Sequence, residues 1–125
     1  MARFTKLQRL LSSRQYDRVM SGPNTKVVCA DFVLLASDKD VSRPARLGMI
    51  VSGKVGNAVV RNRVKRSIRS VFQTDLASSK ELSGRDLVVI ARPSLVDESG
   101  DIKTKLQENL RRCAGRLLQR LENLN

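Results

Sequence analysis

The chain has 125 residues, with 24 Lys and Arg against 12 Asp and Glu and no histidine, which gives a net charge of +12 and a pI near 10.9. That length suits one domain, residues 1–125, and a hydrophobic share of 41% argues against disorder, while 3% aromatics leaves the core to Val, Leu and Ile. The missing histidines exclude Ser-His and Cys-His nucleophilic catalysis and any two-histidine acid–base pair, and the cationic excess calls for a large anionic partner, nucleic acid before membrane.

The opening "MARFTKLQRLLSSRQ" carries no signal-peptide pattern and no long apolar run, so a cytoplasmic protein without membrane attachment is expected. Ser12 with Gln15 has capping-box spacing, and Leu11 with Tyr16 has hydrophobic-staple spacing. Tyr16, Val19 and Met20 then share one face of a short helix that Gly22-Pro23 ends. Lys26 to Ala36 reads as strand, broken by a turn or bulge near Ala30-Asp31, and "SDKDVSRPA" as a polar connection. Arg46 to Ser52 predicts a second strand and Leu87 to Ala91 a third. Between them, Asn57 caps a helix over Ala58 to Phe72. A last helix is predicted over Ile102 to Leu121, with Ile102, Leu106, Leu110, Cys113, Leu117 and Leu121 on one stripe and Gly115 interrupting it. This order predicts an α/β (α+β) sandwich, helices packed on a small mixed sheet.

Cys29 and Cys113 lack metal-site spacing and read as buried free thiols in a reducing compartment, a disulfide being the alternative. The carboxylates Asp38, Asp40, Asp97, Glu98 and Asp101 read as solvated loop positions, so no catalytic residue and no metal ligand is assigned to the chain.

The segment "GKVGNAVVRNRVKRSIRSVF" carries the functional signal. At 100° per residue Val60, Val64, Ile68, Val71 and Phe72 fall in one core-facing sector. Arg61, Asn62, Arg63, Lys65, Arg66 and Arg69 fan around the rest, with no acidic residue to pair with them. Several of these cations crowd the positive end of the helix dipole, which favours an external anion over a merely solvated face. Arginine outnumbers lysine there, as suits bidentate phosphate contact.

These residues resemble the protein subunit family of bacterial ribonuclease P. The resemblance rests on "RLGMIVSGKVGNAVVRNRVKRSIRSVF" with its Arg61-Asn62-Arg63 run, on "DFVLL" and on "GRDLVVIARP", and spans roughly residues 7–118. It implies a domain like that of a ribosomal protein, with a left-handed βαβ crossover where chirality rules alone favour the right-handed one. It implies endonucleolytic removal of the 5′ leader of precursor tRNA by a catalytic RNA, the protein being inactive alone and Mg²⁺ being held mainly by the RNA subunit. Arg61, Asn62, Arg63, Lys65, Arg66 and Arg69 are then candidates for the catalytic RNA. Tyr16, Phe32, Ser52, Lys54 and Arg92 are candidates for a leader-binding cleft, Tyr16 stacking a base unless it is only a core aromatic. Two departures stand out: Gly53 where a second basic residue is common, and Met20 where an aromatic is common. Competing readings are a ribosomal or other structural RNA-binding protein of similar fold, a helix-turn-helix DNA regulator and a stand-alone nuclease. The last two suffer from a basic helix set between strands and from missing catalytic groups.

Overall fold

Runs rich in aliphatic and β-branched residues form four strands: Asn24–Val28 (β1), Phe32–Ser37 (β2), Arg46–Ile50 (β3) and Asp86–Ala91 (β4). The computed structural model describes residues 8–10, 12–39 and 43–124, so the Leu11 half of the expected staple and Asp40 lie outside the described residues. The sheet order is β1-β2-β4-β3. β1 and β2 make an antiparallel hairpin that turns at residues 29–31, where the break was expected. β2 runs antiparallel to β4, whereas β3 runs parallel to it with Arg46 opposite Asp86 and Ile50 opposite Ile90. Parallel neighbours need a crossover, and helix Ala58–Val71 (α2) supplies it.

The sheet is apolar on both faces. Val27, Phe32, Leu34, Leu47, Leu87 and Val89 pack on one side against Val64, Ile68 and Val71 of α2 and against Leu110, Cys113, Leu117 and Leu121 of the last helix, Leu106–Glu122 (α3). On the other side Leu35 and Val88 meet Leu10 and Val19, the latter from the first helix, Ser13–Ser21 (α1). Ser12 Oγ accepts the Gln15 amide at 3.2 Å and Gln15 Oε1 accepts the Ser12 amide at 3.1 Å, so the capping box forms as read. Met20, on the face it shares with Tyr16 and Val19, is 40% exposed.

Three expectations need correction. Beyond Val71 the chain winds on through a five-residue π-helical turn, Phe72–Leu76, in which the Ala77 amide reaches the Phe72 carbonyl at 2.8 Å; this brings both Phe72 and Leu76 into the core. The last helix starts at Leu106 rather than Ile102, because Ile102 pairs with Val96 in an antiparallel bridge and the Lys103 amide bonds Leu95 O at 2.9 Å. Cys29 and Cys113 are not free thiols but a disulfide, with Cα atoms 6.2 Å apart. An 84-residue separation hides that pairing in the sequence, and only the seating of α3 against β1 creates it.

The parallel register is fixed at its first rung. Arg46 Nε and Nη2 reach the two oxygens of Asp86 at 2.7 and 2.8 Å, and Arg43 adds a contact at 2.9 Å. Asp86 is buried, so its charge depends on these partners. Replacing Asp86 with Ala is expected to lower unfolding free energy by about 2–3 kcal/mol, less than for a fully buried pair because both arginines can turn toward water. Urea denaturation checks this, and a loss below about 0.5 kcal/mol would show that the pair does not set the register.

Candidate nucleic-acid interface

Two basic surfaces arise from this fold. The first is the outer face of α2. Asn57 Oδ1 accepts the Val60 amide at 3.0 Å and starts the helix, whose apolar face is drawn into the core. The six polar positions are thereby turned outward: Asn62, Arg63 and Arg66 are exposed, and Arg61, Lys65 and Arg69 flank them half-buried. The first turn holds no acidic residue. Arg61 Nε is buried with no acceptor among the described residues. Arg63 and Arg66 also line a groove of about 460 Å³ with Lys103 and Lys105 from the approach to α3 and Glu108 from its first turn. The arrangement suits fixed guanidinium contacts to phosphate oxygens.

The second surface is the part of the sheet that α1 leaves uncovered. Tyr16 is half-buried over β3, where its hydroxyl accepts the Met49 amide at 3.1 Å. Gly48 permits this approach: a Cβ there would lie 2.6 Å from Tyr16 Cε1 and 2.8 Å from Leu10 Cδ1. Tyr16 is therefore both a packing residue and part of an open depression of about 500 Å³ with Met20, Met49 and Ile50. Ile50 also borders a neighbouring depression of about 440 Å³. Its lining includes the apolar Val28, Val33 and Ile90 together with Ser52 and three cations, Lys26, Lys54 and Arg92. Arg92 Nη1 donates to the Cys29 carbonyl at 3.1 Å, which fixes the guanidinium at the hairpin turn.

Of the cleft residues expected from sequence, Ser52, Lys54 and Arg92 share one depression and Tyr16 lines the adjoining one. Phe32 is a correction. It is 1% exposed and lies in the core beneath α2 and α3, because it shares strand parity with Leu34 and Ala36, so its ring cannot meet a ligand in the cleft. Sequence reasoning missed Lys26, Val28, Val33, Ile50 and Ile90. Strand alternation opposite to Phe32 would have found Val33, but nothing in the sequence says which apolar face stays open. Among the described residues, no group of three or more His, Cys, Asp or Glu is placed to hold a metal ion.

A strongly basic helix and an apolar groove rimmed by cations, set on an α/β sheet, mark a nucleic-acid-binding protein. Comparison with known proteins narrows the class. The family model for ribonuclease P matches residues 4–120. The ribonuclease P protein component of Bacillus velezensis is 36% identical over 110 residues, covering 87% of this chain and 91% of that protein. That of Stutzerimonas stutzeri is 41% identical over 95 residues, covering 75% and 70%. Among solved structures, the ribonuclease P protein of Thermotoga maritima superposes with a TM-score of 0.69 at 28% identity, covering 90% of this chain and 96% of that one. A Staphylococcus aureus ribonuclease P protein mutant described as defective in mRNA degradation gives 0.73 at 28% identity, covering 89% and 88%. The chain belongs to the ribonuclease P protein family.

Tyr16 is the sole tyrosine and tryptophan is absent, so its fluorescence reports the docking of α1 directly. Gly48→Ala is expected to displace the ring, change that emission and destabilise the fold by about 1–3 kcal/mol. Unchanged emission with unchanged stability would contradict the close approach.

Proposed function

We propose that this chain is the protein subunit of a cytoplasmic ribonuclease P holoenzyme, with α2 on the catalytic RNA and the open sheet face on the 5′ leader of precursor tRNA. The observation that carries the reading is the presence of two basic surfaces of different chemistry. The α2 face offers several guanidinium groups on one helix and little exposed apolar area beyond Ala58 and Val59, as a structured phosphate backbone requires. The groove beside α1 offers an apolar floor, one aromatic edge and cations at the rim, as unpaired bases with their phosphates require. The family match sets aside the rival reading of a ribosomal protein.

The chain's own residues bind and orient, and the catalytic centre belongs to the RNA. The sequence holds no histidine, and Asp31, Asp75 and Asp86 are engaged in ion pairs with Lys103, Arg111 and the Arg43–Arg46 pair. Water activation and stabilisation of the leaving oxygen would come from Mg²⁺ bound mainly on RNA phosphates. Lys54 and Arg92 hold leader phosphates, and Tyr16 with Ile50 and Ile90 offers apolar area to the bases. Mature tRNA has no leader and gains none of these contacts, so the complex favours precursor over product.

RNA-free protein is expected to leave precursor tRNA intact, and addition of the cognate RNA with Mg²⁺ to produce single-site cleavage at the leader junction. Single-site cleavage sustained by rigorously RNA-free protein would refute this division of labour. Such cleavage is scored by product-end mapping, since one solved relative is described as a mutant defective in mRNA degradation.

Arg63→Ala and Arg66→Ala are each expected to weaken binding of the catalytic RNA by roughly 1–3 kcal/mol and to lower the salt slope by about 0.7–0.9. Filter binding at two salt concentrations checks this, with circular dichroism to show an intact fold. Equal affinity for both variants and the parent would remove α2 from the interface.

A further inference from the structure

A third row of cations lies outside both surfaces. Arg112, Arg116 and Arg120 recur at every fourth position of α3 and so form one stripe. At 100° per residue they sit on the flank facing β1, whereas Arg111 sits on the opposite flank and pairs with Asp75 at 3.2 Å. All three are exposed, and none is ion-paired to a carboxylate among the described residues. Two of them are nonetheless held in place. Arg116 Nη1 contacts Cys29 Sγ at 3.6 Å, and Arg120 Nη1 donates to the Lys26 carbonyl on the edge strand. Arg112 and Arg116 line a trough of about 250 Å³ between α3 and the hairpin turn.

Continuity with the leader groove gives this row its meaning. Arg92, on the groove's rim, hydrogen-bonds the Cys29 carbonyl, and Cys29 is bonded to Cys113 one position beyond Arg112. Lys26 lines the groove with its side chain while its carbonyl takes Arg120. The hairpin turn and the β1 edge are thus a short rim, with cations of the groove on one side and the stripe on the other. A solvated cationic flank needs no such anchoring, and orienting three arginines toward one edge raises their mutual repulsion.

We propose that Arg112, Arg116 and Arg120 form a phosphate track for the distal, upstream part of a single-stranded RNA leader, which leaves the groove past Arg92 and crosses the hairpin turn onto α3. This rests on the leader-groove reading above. The contacts are to backbone phosphates, with no base read, so the track is indifferent to leader sequence and sensitive to leader length and salt.

The test uses holoenzyme reconstituted with the catalytic RNA in Ca²⁺, and precursor tRNAs with leaders of about 4 and about 16 nucleotides, a range typical of single-strand sites. The variant R112A/R116A/R120A is expected to bind the long-leader precursor roughly tenfold more weakly, with a salt slope lower by about 2, and the short-leader precursor as the parent does. R112K/R116K/R120K keeps the charge and is expected to restore most of the long-leader affinity. Lys54→Ala serves as the groove control and is expected to weaken both precursors. If Lys54→Ala weakens neither while the triple Ala variant still loses long-leader affinity, the groove reading fails and the α3 stripe is a leader-phosphate site reached by another route. No length-dependent loss in the triple Ala variant overturns the track, as does a parallel loss of affinity for the catalytic RNA itself.

Discussion

A four-stranded sheet that is apolar on both faces must be covered twice, and this chain covers it once and a half. α2 and α3 lie side by side across one face and close it. On the other face stands α1, nine residues or about 13.5 Å long and about 10 Å wide. With strands about 4.8 Å apart, such a helix shields about two of them. The remainder, at Val28, Val33, Ile50 and Ile90, is left as an apolar floor that water meets at a cost. Its three cations keep the floor from reading as a simple hydrophobic liability and suit it to a ligand with apolar planes and anionic links.

The same division separates the two basic surfaces without parting them. Residues 51–57 carry the chain from the end of β3 at the groove to the start of α2, so Lys54 and Arg61 lie only seven positions apart while serving different faces. Rigid elements supply most of the positioned groups: α2 for the arginine face, β4 for Arg92 just past its end, and α1 for Tyr16. The bidentate Arg46–Asp86 pair holds β3 and β4 in register, and with them Ile50 opposite Ile90, which is the centre of the floor. A polar pair at one end of the parallel strands thus secures an apolar surface at the other.

Legibility in the sequence followed how local each determinant was. Asn57, the apolar period of α2 and its uncompensated cations all lie within one segment, so that helix and its exposed residues could be read directly. The capping box of α1 was legible for the same reason. Features set by distant contacts were not. The bridge from Ile102 to Val96 takes hydrogen bonds that a helix would otherwise use, and the disulfide depends on two segments 84 residues apart. Phe32 shows the limit most clearly. In a strand with both faces apolar, alternation separates Phe32 from Val33 but cannot say which of them faces the open side; only the seating of α1, α2 and α3 decides it.

On the proposed reading, the bases of single-stranded RNA meet the sheet face that α1 leaves open and not the face closed by α2 and α3. Methyl-resolved NMR of the isotopically labelled protein, titrated with a short leader-like oligonucleotide, tests it most directly. Shifts are expected at the methyls of Val28, Val33, Ile50 and Ile90, with Val27, Leu34, Leu87 and Val89 unmoved across the sheet. Shifts concentrated on α2 with the floor methyls silent would contradict it.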